Sequence, residues 1–275
     1  MRTLRAIALL TMTLLAGLIT APQAGAIIGG KPTNQPFPFM ASLQIQYSAG
    51  SPFDHFCGAT LIAPQWVITA AHCVQGQEDQ PELYRVRVGS ADSTKGGDFR
   101  TVAKIIPNPD YLTWPDDGTD GYEADIALVK LSAPVPEKPI HIGVLTQPQP
   151  VEAIGWGLAC ADADCTTYTY PTLLQQLDTE ILSPQTCTDP ADPSGQNPKY
   201  ELCVGSVTKK ANAAPGDSGG PVLAKAGGQW FLLGVCSHGP SGGDKFPQSE
   251  PGTAPTFYTS APAHLSWIIK TITTT

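Results

Sequence analysis

Charge is scarce in this chain, and basic charge is scarcer than acidic charge. Only 15% of the 275 residues are charged, with 24 acidic against 16 basic side chains and a net charge of −8. So few charges argue against long amphipathic helices, while 27 glycines and 27 prolines favour short strands joined by turns. The excess of acid argues against nucleic acid and anionic membrane surfaces as partners.

Long apolar runs are missing as well, except for one near the amino terminus. Residues 6–20 are almost wholly apolar, follow Arg2 and Arg5, and precede Ala-Gly-Ala at 24–26. This layout predicts a secretory signal peptide over residues 1–26, because the apolar run is too short to cross a bilayer comfortably. We therefore expect a secreted protein, extracellular or periplasmic, with no membrane contact after the signal is removed.

The seven cysteines lack the spacing of a metal site, because the chain has no C-x2-C pair and no paired histidines. We expect no metal and no cofactor. In an exported chain, cysteines favour disulfides instead. Their positions suggest three local pairs, Cys57–Cys73, Cys160–Cys165 and Cys187–Cys203. Cys236 is left over inside an apolar run, where we expect a buried free thiol.

Short β-prone runs recur along the chain, separated by glycine, proline, asparagine or aspartate. Eleven such runs lie at residues 40–46, 59–62, 66–69, 84–88, 101–106, 126–131, 151–156, 176–182, 221–224, 230–237 and 256–259. Runs this short and this regularly spaced predict an all-β protein, an antiparallel sandwich or barrel. The clearest helix is at the end, where apolar residues recur at helical spacing over residues 265–272.

Residues 216–221 read Gly-Asp-Ser-Gly-Gly-Pro and place Ser218 among small residues that allow close approach to its hydroxyl. A serine hydroxyl is a weak nucleophile at neutral pH unless a nearby base removes its proton. His72 ends an apolar run beside a cysteine, and Asp125 opens another apolar run. Taken alone, the histidine is as easily a packed core residue, and the aspartate a solvated strand end.

Together, several blocks resemble the trypsin/chymotrypsin family of serine proteases. The blocks are Ile-Ile-Gly-Gly at 27–30, Thr-Ala-Ala-His-Cys at 69–73, Asp-Ile-Ala-Leu at 125–128, Gly-Trp-Gly at 155–157, Gly-Asp-Ser-Gly-Gly-Pro at 216–221 and Trp-Ile at 267–268. They occur in the family's order, and the resemblance covers residues 27–270. It implies two antiparallel six-stranded β-barrels packed face to face with a short carboxy-terminal helix.

The resemblance also implies an organisation and a set of partners. It places a serine protease domain at residues 27–275, with the first barrel at about 27–135, the second at about 150–262 and the helix at about 263–272. Protein or peptide substrates are the expected partners, with proteinaceous protease inhibitors as further ones. We expect a monomer.

By resemblance, the chain is a serine endopeptidase in which Ser218 attacks the scissile carbonyl and forms an acyl-enzyme. His72 takes the proton and returns it to the leaving amine, and Asp125 orients the imidazole. The backbone N–H groups of Gly216 and Ser218 would form the oxyanion hole.

A further pair follows from the resemblance. Asp217 would form a salt bridge with the ammonium of Ile27 once the chain is processed. Because Ala-Gly-Ala lies immediately before Ile27, we expect signal removal itself to expose that terminus. The alternative is that Asp217 serves only as a turn residue.

Five positions of the expected substrate site are Asn212, Ser237, His238, Gly239 and Thr256. Asn212 falls at the pocket base, where trypsins carry aspartate, so a preference for Arg or Lys loses its physical basis. Thr256 should narrow one wall, while Gly239 leaves the other open. We expect small or medium uncharged side chains before the cleaved bond.

Ser-His-Gly at 237–239 stands where the family usually has Ser-Trp-Gly. This segment would pair with the substrate backbone as an added strand, so Ser237 and Gly239 keep their expected roles. His238 either favours acidic substrates, since it titrates near neutral pH, or is a solvent-exposed filler. Ala214 occupies the usual cysteine position, so a disulfide that braces the pocket is missing.

Three other interpretations are open. Gly-x-Ser-x-Gly at 216–220 also fits the nucleophile elbow of α/β-hydrolases, but those enzymes need alternating strands and helices and the order Ser, acid, His. The chain could instead be a catalytically weak or inactive protease-fold binding protein, although such proteins typically lose a catalytic residue. The acidic run 116–121 resembles fragments of a calcium loop without its register, and a solvated loop is the better reading.

Overall fold

The structure is a computed structural model that describes residues 25–111, 124–144, 150–160, 166–187, 196–206, 208–240 and 254–275. The expected signal peptide, except for Gly25 and Ala26, and the acidic run 116–121 lie outside the described residues. Among the residues that are described, no helix has the length and apolar character needed to span a membrane.

The described ranges contain mainly short strands. The strands are β1 (Gly25–Ala26), β2 (Lys31–Pro32), β3 (Met40–Ile45), β4 (Asp54–Ala63), β5 (Trp66–Thr69), β6 (Tyr84–Val88), β7 (Asp98–Pro107), β8 (Ala127–Leu131), β9 (His141–Ile142), β10 (Pro150–Gly155), β11 (Ala159–Cys160), β12 (Tyr168–Thr169), β13 (Gln175–Glu180), β14 (Glu201–Val204), β15 (Pro221–Ala226), β16 (Gln229–His238) and β17 (Thr256–Ser260). The α-helices are α1 (Pro184–Cys187) and α2 (Leu265–Thr274). Each of the eleven predicted runs overlaps one of these strands.

The first unit is a closed antiparallel barrel in the strand order β3–β4–β5–β8–β7–β6. Its interior is apolar, with Leu43, Leu61, Ile68 and Leu128 fully buried. Closure leaves no free strand edge, and it confirms the six-stranded barrel expected for the first half of the chain.

The second unit is a half-barrel built from an eight-stranded sheet. Its strands follow the order β14–β17–β16–β15–β10–β13–β2, and β9 pairs with β16. The mostly β architecture and the terminal helix α2 are confirmed. Several short strands complete the sheets, and the β-prone runs did not predict them. Segments of two to four residues such as β2, β9 and β14 are too brief to show alternation.

At one point the two units meet backbone to backbone. Gly58 in β4 donates its N–H to the carbonyl of Ser218 at 2.7 Å. A Cβ added to Gly58 would lie 2.6 Å from the Cα of Gly220, so only glycine fits there. This contact sets the depth at which the second unit docks on the first.

Two of the expected disulfides are present, one between Cys57 and Cys73 and one between Cys187 and Cys203. Cys160 is also disulfide-bonded, and its expected partner, Cys165, lies outside the described residues. Cys236 is a free thiol, buried as expected, and burial raises its pKa well above the ordinary value.

Adding a methyl group at Gly58 should weaken the seam between the two units. We expect Gly58→Ala to lower the free energy of unfolding by about 1–3 kcal/mol, because the new Cβ meets backbone that cannot rotate away. Urea unfolding midpoints measure the loss. Gly239→Ala is the matched control, since its Cβ would meet only the Pro255 carbonyl at 3.7 Å, and it should leave the midpoint nearly unchanged.

Candidate active site

His72 is fixed by the structure on either side of it. The buried strand β5 ends at Thr69, and a 3-10 turn, Ala71–Cys73, follows. The disulfide from Cys73 to Cys57 ties this turn to β4. The imidazole remains 29% exposed, so it is accessible from solvent although its position is fixed.

Asp125 is completely buried and binds His72 at two points. Its Oδ2 lies 2.7 Å from His72 Nδ1, and its Oδ1 accepts the backbone N–H of His72 at 2.9 Å. Ser237 Oγ donates to the same Oδ2 at 2.5 Å. The carboxylate therefore places the His72 proton on Nδ1 and leaves Nε2 as an acceptor.

The pKa values of this pair move apart in the directions that favour an ion pair. Burial raises the pKa of Asp125, but the hydrogen bond and charge of His72 and the Ser237 hydroxyl outweigh it, and the pKa is lowered. Burial lowers the pKa of His72, but the hydrogen bond and charge of Asp125 outweigh it, and the pKa is raised. Asp125 thus stays ionised and stabilises a proton on the imidazole.

Ser218 lies in a tight turn that packs against the end of β5. Gly216 and Gly219 take positive φ values of 94° and 77°, a region that favours glycine. A Cβ on Gly219 would clash with Thr69 and with Gly58. Because Thr69 lies three residues before His72, this packing brings the Ser218 turn to the strand end that carries the imidazole.

Comparison of the sequence with known proteins shows the family of this chain. A sequence model of the trypsin family matches residues 27–268. The chain belongs to the trypsin family. It is similar to transmembrane protease serine 11G of Rattus norvegicus, 31% identical over 262 residues, and to that of Mus musculus, 32% identical over 258 residues. Each alignment covers 90% of this chain and 55% of the relative, so the chain spans about half the length of these curated relatives.

His55 is a site residue of this trypsin-family chain that the sequence motifs did not reveal. Its Nε2 lies 3.0 Å from the carbonyl of Gly216, and its Nδ1 lies 2.8 Å from Ser42 Oγ. Burial lowers the pKa of His55 to about 4, although the Gly216 hydrogen bond raises it. The ring is therefore neutral at pH 7 and anchors the turn before Ser218. The only signal in the sequence is its position two residues before Cys57.

Asp217 is buried beneath the same turn of the trypsin-family site, and two backbone N–H groups are its hydrogen-bond donors. Gly157 donates to Oδ1 at 2.8 Å and Ala214 donates to Oδ2 at 3.0 Å. Burial raises the pKa of Asp217 to about 7, although both hydrogen bonds lower it. Two neutral donors thus compensate only part of the cost of burying this charge.

Ile27 is also buried, in an apolar cluster with Ala153 and Leu177. In the chain described here it is still joined to Ala26, which pairs with Ala159 in β11. Ile27 therefore has a peptide nitrogen and not an ammonium, and the salt bridge with Asp217 stays a prediction for the processed chain.

The expected pocket residues of this trypsin-family site are largely buried. Asn212 is 1% exposed; its Oδ1 accepts the Ser206 N–H at 2.7 Å and its Nδ2 donates to the Ser206 carbonyl at 2.9 Å. Thr256 is 7% exposed and Gly239 is exposed. The residue expected at the pocket base is thus uncharged, and its amide is bonded to the backbone of Ser206.

Two residues of the expected substrate strand have contacts that the motifs did not predict. Ser237 uses its hydroxyl on Asp125, in addition to any contact of its backbone with a substrate. His238 is not a solvent-exposed filler, since its side chain is only 10% exposed. Its ring packs edge-on against Phe257 at 5.1 Å.

One group of candidate metal ligands occurs among the described residues, Cys57, His72 and Cys73. The two sulfurs of this group are bonded to each other. They are therefore not thiolates, and the group does not offer the donor set of a metal site.

The raised pKa of Asp217 predicts how stability changes with pH before processing. The folded-state pKa of about 7 lies above the ordinary 3.8, so the free energy of unfolding should fall as pH rises from about 4 to 7. The full loss is roughly 4 kcal/mol. Thermal unfolding of the unprocessed chain across this range measures it.

Asp217→Asn in the unprocessed chain is the control, because Glu152 also has a pKa raised to about 7, chiefly by burial. The asparagine variant should keep the Glu152 contribution and lack that of Asp217. A chain that begins at Ile27 should also lack the Asp217 contribution, because a nearby ammonium lowers the pKa of the carboxyl. Equal pH dependence in all three proteins would contradict the assignment.

Proposed function

We propose that this chain is a serine-type endopeptidase that uses Ser218 as nucleophile, His72 as general base and acid, and Asp125 as the orienting carboxylate. The observation that carries the proposal is the two-point contact of Asp125 with His72, at 2.7 and 2.9 Å. It leaves Nε2 as the one basic atom of the imidazole on the exposed side of the ring. A base so oriented beside the Ser218 turn is what acyl transfer requires.

In the proposed reaction, Ser218 Oγ attacks the carbonyl carbon as His72 Nε2 takes its proton. The imidazolium is stabilised by Asp125, and it then protonates the leaving amine, which leaves an acyl-enzyme. Water then attacks the acyl carbonyl carbon and gives a proton to Nε2. The imidazolium passes this proton to Ser218 Oγ as the ester bond breaks and the acid leaves. Hydrolysis therefore needs the neutral imidazole at the start of each half-reaction.

Negative charge develops on the carbonyl oxygen in both half-reactions. We infer that the N–H groups of Gly216 and Ser218 stabilise it. Two observations support this. Gly216 has a positive φ of 94°. His55 binds the Gly216 carbonyl and so fixes the peptide group between Gly216 and Asp217, which lies between the two donors. Preorganised donors of this kind are worth about 3–4 kcal/mol each.

We further propose that processing exposes Ile27 and that its ammonium pairs with Asp217. The buried carboxyl, with its pKa of about 7, has two neutral donors and would gain a cation. The Ile27 side chain is already buried beside Ala153 and Leu177, so the residue is held by the same unit that carries Asp217. The active form should begin at Ile27.

Secretion is likewise a proposal, and it rests on the apolar leader before Ile27. The two relatives are named transmembrane proteases, a property of those proteins. We propose that this chain is released as a secreted protease that acts on proteins or peptides. Recovery of activity from the membrane fraction alone would contradict this.

Specificity follows from the uncharged pocket base. We propose small or medium uncharged side chains before the cleaved bond, because Asn212 gives no anion to pair with Arg or Lys. The threonine at 256, which is 7% exposed, adds a branched side chain to one wall. Together these residues favour a short, neutral occupant.

Replacing the nucleophile should abolish turnover and labelling together. We expect Ser218→Ala to lower kcat by about 10⁴-fold or more on peptide esters and to prevent labelling by an organophosphate. Circular dichroism and urea unfolding should match those of the unsubstituted chain. If the processed protein neither hydrolyses esters nor takes up the label, it is a protease-fold binding protein instead.

A charge at position 212 should change the substrate preference. A panel of chromogenic peptides should give kcat/KM values at least about tenfold higher for uncharged than for Arg or Lys side chains. Asn212→Asp should raise the relative kcat/KM for Arg and Lys, because it introduces the missing anion. Asn212→Ala, which removes the amide without adding charge, is the matched control and should not. A wild-type preference for Arg or Lys would overturn this assignment.

A further inference from the structure

A chain of polar side chains continues from the candidate active site into the second unit. His238 is the last residue of β16, and its Nδ1 lies 2.9 Å from Ser237 Oγ. The same ring nitrogen lies 3.7 Å from Glu201 Oε1, and Glu201 is 4% exposed. None of these contacts follows from the Ser-His-Gly motif alone.

The Ser237 hydroxyl donates its hydrogen bond to Asp125. Asp125 is ionised and can only accept, and its Oδ2 lies 2.5 Å from Ser237 Oγ. The hydroxyl therefore donates to Asp125, which leaves only lone pairs on its oxygen for His238. It follows that His238 Nδ1 carries a proton and donates it to Ser237 Oγ.

Glu201 favours that placement of the proton. Its Oε2 accepts the N–H of Asn197 at 2.7 Å, which fixes the carboxyl group, and its Oε1 faces His238 Nδ1. A nearby negative charge favours the N–H on the nitrogen that faces it. Glu201 lies in β14 and pairs with Thr259, whose hydroxyl donates to the Asp125 carbonyl, so the strand is registered to the site.

We propose that His238 is a positioning residue of the active site: its Nδ1–H, directed by Glu201, holds the Ser237 hydroxyl so that it donates to Asp125. The inference rests on the proposed function, since it assigns His238 a part in setting the His72–Asp125 pair. A tryptophan at this position has carbon and not nitrogen at the corresponding ring atom. The histidine thus adds a donor that the resemblance does not imply.

The hydrogen bond from His238 to Ser237 affects the pKa of His72. A hydroxyl that accepts one hydrogen bond becomes a stronger donor in another, so His238 increases the share of the Asp125 charge taken up by Ser237. Without that N–H, Asp125 attracts the imidazolium of His72 more strongly, and the pKa of His72 rises. Charged and titratable groups in contact with these side chains include Glu201 from β14, and Asp125 and His72 beyond Ser237.

Two amide substitutions at position 238 separate the roles of the ring nitrogens. The side chain of His238→Asn can place its NH2 near the position of Nδ1, whereas that of His238→Gln reaches the position of Nε2. Both are neutral and smaller than the imidazole, so they disturb the packing against Phe257 to a similar degree. They form a matched pair that differs in where the donor lies.

The pKa of His72 is the quantity to measure, by NMR titration of its ring in the resting protein. We expect His238→Asn to keep it near the wild-type value and His238→Gln to raise it by about half a unit. In the active enzyme, the acid limb of kcat/KM should move to higher pH by the same amount. Because the titration needs no turnover, failure of the proposed protease activity cannot be mistaken for failure of this inference.

The Ser237→Ala background decides whether His238 acts through Ser237. In that background, exchanging His238 for Gln should leave the pKa of His72 unchanged, because the hydroxyl that relays the effect is gone. A shift of equal size in both backgrounds would show a merely structural role. Equal pKa values for the wild type and His238→Gln, or equal shifts for Asn and Gln, would also overturn the inference.

Discussion

A backbone contact between the two units positions the chemistry. Gly58 in the first barrel and Gly220 in the second approach so closely that no side chain fits between them, and Gly58 binds the carbonyl of Ser218. A serine placed through its own peptide group does not depend on the rotamer of any neighbour. The strand that carries Gly58 is also joined by disulfide to the turn of His72, so both groups share one rigid frame.

The pKa values of two buried carboxylates in this frame, Asp125 and Asp217, are shifted in opposite directions. Asp125 accepts donors from His72 and Ser237, one of them cationic when protonated, and its pKa is lowered. Asp217 accepts two neutral backbone donors at similar distances, and its pKa is raised to about 7. Both are deeply buried, so the difference comes from the hydrogen bond and charge of His72 and from the additional donors to Asp125. The proposed pairing of Ile27 with Asp217 would make the two sites electrostatically alike.

The fold was predictable where a strand alternates, as in Tyr84–Val88, or forms a distinct apolar run, as in Trp66–Thr69, and the bounds of both strands match the predicted runs. Two-residue strands such as Lys31–Pro32 have no pattern, and only pairing with a neighbour defines them. The motifs likewise pointed to His72 and Asp125, which the structure brings together. They could not reveal His55 or Glu201, because those residues act through long-range contacts that no local spacing encodes.

Cys236 lies directly behind the turn of Ser218, since its backbone bonds to Gly219 and Gly220. Its thiol is buried and its raised pKa keeps it protonated, so it lacks both the exposure and the thiolate that alkylation requires. An alkylating reagent reaches it only in molecules whose second unit has opened around this thiol. The odd cysteine is thus an intrinsic reporter: its modification rate counts the openings of the active-site region without any introduced label.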